Sequence, residues 1–139
     1  MREYLFRGKP KHFTNHDKVK VEWVYGNLQL LENKTIVWVA DRAVIPETVG
    51  QYTGLDDING KQIFEGDIVR ICCGHEDETT INEILFDNGE WEAHDIGGDY
   101  DSLYNQIVNC EHEVEIIGNI HDNGLLLEVK NAYMKGREI

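Results

Sequence analysis

The pair Asn88-Gly89, set between NEILFD and EWEAH, constrains the fold of this chain more than any other feature. Asn-Gly accepts positive φ at both central positions of a two-residue type I′ turn, whose twist matches that of paired antiparallel strands. The alternation on either side then fixes the register. Phe86 faces Trp91 and Ile84 faces Ala93, on a shared face predicted to be core. Comparable short segments recur along the chain with turn residues between them. KVEWVYGNLQL alternates through Val21, Trp23 and Tyr25, then changes phase at Gly26 to Leu28 and Leu30, which predicts one strand with a bulge at the glycine. TIVWVA predicts a second strand, joined to the first through the polar turn LENK, and Pro46 in RAVIPET forbids a central-strand position. IVRIC and EVEIIGNI read as further strands. DIGGDYDSLYNQI reads as a glycine-rich loop leading into at most a short helix, and GLLLEVKNAYMKGREI as a tail with a short terminal helix. The expected fold class is mainly β, as a small barrel or a rolled sheet.

The stretch DDINGKQIFEGD has the composition of a calcium loop but not its spacing. With Gly60 at the sixth position of such a loop, the first ligand would be Leu55 and the twelfth Gly66, whereas Glu65 falls one place short. A phosphate loop fails as well, because Gly54 and Gly60 enclose five residues and Lys61 is followed by Gln62 instead of a hydroxyl. A hairpin is what remains. Asn59-Gly60 is read as a type I′ turn placing Ile58 opposite Lys61 and Leu55 opposite Phe64.

With 139 residues and 41% hydrophobic content, the chain can bury one ordinary core or two small lobes. No stretch has the apolar length of a membrane span, and MREYLFRGKP lacks a signal-peptide centre, so a cytoplasmic protein is expected. The net charge of −13 is uneven. Residues 1–20 carry six basic and two acidic residues, while residues 61–100 carry two basic and eleven acidic ones. The acidic middle repels phosphate backbones and argues against nucleic acid as a partner. Weak binding through Lys9, Lys11 and Lys18 of the basic N-terminal segment stands as an alternative.

Three cysteines, two of them adjacent, argue for reduced thiols and against a disulfide framework. The pairs Cys73-x-His75 and Cys110-x-His112 would each place both members on one face of a strand, making the four a weak alternative zinc set. Tight knuckles are the commoner arrangement, so no metal or cofactor is assigned. Ser102, the only serine, lies outside any nucleophile elbow, and Cys73 beside His75 is an incomplete catalytic pair. The pairs His16-Asp17, His94-Asp95 and His121-Asp122 resemble metal-dependent phosphohydrolases only in the dipeptide. No catalytic residue is assigned and no enzyme is expected. Trp23, Tyr25, Trp38, Tyr52, Phe86 and Trp91 mostly alternate as core residues do. Tyr100 and Tyr104 lie in an acidic loop without periodicity and are the candidate contact site.

LFRGK, WVYGNL, VIPETVGQYTGLDDINGKQIFEGDIV, FDNGEW and EIIGNIHDN, in this order, resemble the YopX family over about residues 1–128. That family comprises small proteins of phages and prophages of Gram-positive bacteria, and it carries no assigned catalytic residues to transfer. Gly124-Leu125 departs from the Pro-Glu pair that commonly follows DN in the family. The resemblance implies an SH3-type small β-barrel at 67–128, with Asp67–Ile120 as its body. A smaller mixed α+β segment at 1–66 would precede it and a tail at 129–139, helical in part, would follow. The expected function is that of a phage accessory protein, a non-enzymatic module that binds a host or phage protein or a second copy of itself. A metal-dependent hydrolase is the alternative.

Overall fold

The computed structural model describes residues 4–11, 23–74 and 78–127. Its strands form antiparallel sheets, so the mainly β class holds. The chain divides into two compact units, Met1–Gly54 and Leu55–Ile139.

In the first unit, β1 (Phe6–Gly8) lies between β2 (Val24–Gly26) and β6 (Gly50–Asp56), with Arg7 opposite both Tyr25 and Gly50. A separate sheet orders β3 (Leu28–Leu31), β4 (Ile36–Val39) and β5 (Arg42–Ala43). The turn expected at LENK is present, with left-handed φ at Glu32, Asn33 and Lys34. The phase change at Gly26 is not a bulge within one strand: the chain leaves one sheet there and enters another. The cause is a close approach, since a Cβ on Gly26 would lie 2.7 Å from the Cβ of Ala40. Ala40 and Asp41 themselves form the β4–β5 turn at φ 49° and 65°, a left-handed pair without a glycine. Val37, Val39 and Val44 are buried at the centre, with Phe6, Val24, Leu28 and Val49 packed around them. Pro46 opens a short 3₁₀ turn, Pro46–Thr48, and the Thr48 Oγ accepts from Lys9 N at 2.9 Å.

In the second unit, β8 (Asp67–Cys72), β9 (Thr79–Asp87), β10 (Glu90–Asp95) and β11 (Tyr100–Ser102) run as a meander. The last strand, β12 (Glu113–Asn119), returns beside β8. The sheet order is β11-β10-β9-β8-β12, and no closed barrel is found among the described residues. The Asn88-Gly89 turn has φ 51° and 79°, and both expected pairs, Phe86 with Trp91 and Ile84 with Ala93, are in register. The core contains Ile63, Val69, Ile71, Ile84, Ala93, Leu103 and Val114. Ile63 precedes Asp67, where the barrel region was expected to start, yet its side chain is fully buried in this core.

The aromatic core expected from alternation is mostly absent. Of the six aromatics read as alternating core residues, Trp23, Tyr25, Trp38, Tyr52, Phe86 and Trp91, Tyr52 alone is buried, while Tyr25 and Phe86 are more than half exposed. Branched aliphatics fill both interiors, because the pleat of short strands accommodates Val and Ile in few rotamers. Phe86 and Trp91 instead pack edge to face at 5.0 Å at the end of their hairpin, with Trp91 half-buried against the core.

The stretch DDINGKQIFEGD is a hairpin loop, but not a type I′ turn. Asp57 N donates to Lys61 O, so Asp57 and not Ile58 stands opposite Lys61, and Gly60 N returns to Asp57 O. Gly60 alone takes positive φ in this turn, as in a three-residue loop built on a type I turn. The shift follows from Asp57. Its Oδ1 accepts from Asn59 N and Lys61 N, both at 2.9 Å, and its Oδ2 accepts from Ile116 N on β12 at 3.0 Å. Asp67, also buried, accepts from Phe64 N at 2.7 Å, close to β7 (Gln62–Phe64). These two acids of the calcium-like stretch hold backbone. The tail at 129–139 lies outside the described residues, as do residues 12–22 of the basic segment.

Candidate functional site

The hairpin of β9 and β10 has two chemically different faces. Trp91 and Ala93 point to the core, so Glu90, Glu92 and His94 must point the other way. Their cross-strand partners are Asp87, Leu85 and Glu83. Four carboxyl groups and one imidazole therefore converge on a small patch. Glu92 is only 2% exposed, and its Oε1 lies 2.8 Å from His94 Nε2. A buried carboxylate is costly unless it is paired, and the imidazole is the group that meets it. One ligand atom from each of Asp87, Glu92 and His94 lies within 4.8 Å of the other two, a separation at which all three could contact one cation.

Electrostatics record the crowding. Burial pushes the Glu83 carboxyl above its ordinary range, and the attraction of His94 only partly counters it. Glu90 is raised too, by desolvation and then by its hydrogen bond to Glu92 and the charges of Glu92 and Asp101. The His94 ring is held from its other side, because β11 pairs Tyr100 with His94 and the two rings stack at 5.1 Å and 15°.

Tyr100 thus lies against this cluster and is 60% exposed. Tyr104, 56% exposed, lies in the helical turn that runs into the π-helical Asn105–Asn109. Between them Leu103 is fully buried in the core and anchors the segment. Asp101 braces it further, accepting from Asn105 Nδ2 and Gln106 Nε2 at 2.7 Å and from Ser102 N at 2.8 Å. Burial alone would raise the Asp101 carboxyl. The bonds from Asn105, Gln106 and Ser102 N–H, helped by His112, outweigh that effect and hold it below its ordinary value.

The Cys/His alternative is distributed differently. Cys73 packs half-buried against the core, Cys110 is exposed, and His112 Nδ1 lies 2.7 Å from Gln106 Oε1. Burial, then the charges of Glu78, Cys72 and Cys110, raise the Cys73 thiol, which disfavours the thiolate that zinc or catalysis needs. Among the described residues these three do not come together as a ligand set, and His75 lies outside them. Among the described residues the His-Asp dipeptides share no centre either. Asp95 caps the turn at Gly97 and Asp122 meets Asn119, while His16-Asp17 lies outside the described residues. The set that does converge, Asp87, Glu92 and His94, was not singled out from the sequence. Its signal was available, because the register that aligns Ile84 with Ala93 also puts Glu92 and His94 together on the reverse face.

No helix among the described residues is long and apolar enough to cross a membrane. Comparison with curated proteins finds no match. The family model described as YopX protein matches residues 5–128, most of the chain, and includes both tyrosines and the whole carboxylate–imidazole patch. The chain belongs to the YopX family.

Proposed function

We propose that this YopX-family protein is a phage or prophage accessory module of the bacterial cytoplasm that works by binding a host or phage protein, not by turnover. The contact surface is the β11 edge with Tyr100 and Tyr104. One observation carries the reading: two tyrosines more than half exposed, Tyr100 on the edge strand β11 and Tyr104 in the helical turn that follows it, lie on either side of the fully buried Leu103. Solvent-facing aromatics on a rigid base supply contact area at little entropic cost. An edge strand also offers backbone groups to an added strand of a partner. The finer fold reading, an SH3-type small barrel, is supported by the return of β12 to β8, which brings the last strand beside the first strand of the meander.

The test is capture with the tagged full chain from induced lysogenic cells, treated with nuclease, in parallel with the double variant Tyr100→Ala/Tyr104→Ala. A protein retained by the native chain and lost from the variant supports the reading. Equal retention by both moves the contact elsewhere, and a substrate turned over by the purified chain replaces binding with catalysis.

A further inference from the structure

We propose that Asp87, Glu92 and His94 form a binding site for a first-row divalent transition cation, with Zn²⁺ the best-matched ion. This inference does not depend on the protein-binding reading.

The donors are two carboxylate oxygens and one imidazole nitrogen, a set suited to zinc and its neighbours and poor in the many oxygens that calcium requires. Zinc bonds of about 2.0–2.2 Å place ligand atoms about 3–4 Å apart, a spacing reached from mutual distances within 4.8 Å by closing the wider gaps by at most about 1–2 Å. Those shifts are available: Asp87 is exposed at the hairpin end, and the Glu92–His94 contact of 2.8 Å opens slightly to admit the ion between its members. The scaffold is stiff. Both strands are locked by a type I′ turn in continuous register from Asp87–Glu90 to Asn82–Asp95, and Tyr100 stacks on the imidazole.

Charge is the independent argument. Glu83, Glu90 and Asp87 crowd around a carboxylate that is itself 2% exposed, against a single imidazole. The contact with His94 accounts for one oxygen of Glu92, and four carboxyl groups share this single imidazole on one face of the hairpin. A divalent cation would bind Glu92 and His94 in place of their mutual bond and draw Asp87 in as the third ligand. His94, with its side chain 27% exposed, and Asp87 leave a solvent side where a water can complete a tetrahedral shell.

The experiment is calorimetric titration of Zn²⁺ into the full chain, stripped with chelator and exchanged into chelator-free buffer. Native protein is expected to bind about one equivalent, with Asp87→Asn and His94→Gln each weakening binding about ten-fold or more. Asp87→Asn keeps a side-chain oxygen for Asn88 N, which Asp87 Oδ1 now accepts at 2.9 Å, so the hairpin survives and the loss reads the ligand. Cys73→Ser and Cys110→Ser are expected to leave the affinity unchanged. Co²⁺ substitution should give visible ligand-field bands without the ultraviolet charge-transfer band of a thiolate ligand. Absence of binding, equal affinity in Asp87→Asn and His94→Gln, or loss of binding in a cysteine variant would each overturn the proposal.

Discussion

Replacing Asp57 by alanine removes three hydrogen-bond acceptances at once. Asn59 N and Lys61 N lie in a surface turn, where water can take over, so each lost bond costs about 0.5–1 kcal/mol. Ile116 N is different. It sits inside β12 next to the register shift between Ile116 and Gly118, and its partner is the Asp57 Oδ2 at 3.0 Å. Leaving a part-buried donor unsatisfied costs about 1–3 kcal/mol. The expected total is about 2–5 kcal/mol. Asp57→Asn should lie between, because its amide keeps one oxygen for the turn but presents an N–H to the N–H of Ile116. Urea unfolding of the full chain, followed by circular dichroism and by hydrogen exchange at the Ile116 amide, measures both parts. If Asp57→Ala falls within about 0.5 kcal/mol of the native chain and Ile116 keeps its protection, the clamp does not hold β12.

Three further outcomes follow from the same geometry. Ile84→Ala, at a fully buried position, should cost about 2–5 kcal/mol, and Phe86→Ala two residues on, at 54% exposure, less than about 1 kcal/mol; urea midpoints compare them directly. Gly26→Ala should cost about 1–3 kcal/mol through its collision with Ala40. Gly54→Ala, with nothing within 4 Å of the added Cβ, should cost only the roughly 1 kcal/mol of left-handed strain. Asp101→Asn should cost about 1 kcal/mol at neutral pH, discounted for its partial exposure. Because the folded carboxyl titrates below its unfolded value, the native advantage is present above the ordinary carboxylate range and is lost as pH falls through the depressed value. Thermal unfolding of both proteins from neutral to strongly acid pH should therefore show the two curves converge on acidification.

What was legible in the sequence was the information carried by neighbours. Asn88-Gly89 states its turn type in two residues, and the flanking alternation supplies the register without help from the rest of the chain. Asn59-Gly60 offers the same dipeptide and a different answer, because Asp57 bonds to the turn and to a strand some sixty positions away. The left-handed pair Ala40-Asp41 carries no glycine or asparagine to announce it, and its approach to Gly26 is non-local, so a strand change reads as a bulge. Aromatic alternation suggested burial, but alternation assigns a face and not a depth, and Phe86 lies past the end of the core. The candidate site divides in the same way. Tyr100 and Tyr104 were visible as aromatics without periodicity, whereas the Asp87–Glu92–His94 set required applying the hairpin register to its polar face. The stacking of Tyr100 on His94, which joins the two, depends on β11, a three-residue strand that a glycine-rich loop conceals.

The most direct test of binding through the tyrosine segment is site-specific photocrosslinking in cells. Tyr104→p-benzoylphenylalanine places the reactive group on the proposed surface, and Ile58→p-benzoylphenylalanine, at an equally exposed position elsewhere in the same unit, is the control. A discrete adduct with one protein from position 104 and none from position 58 is the predicted result. An adduct from position 58 alone, or none from either while the partner is still captured, would contradict it.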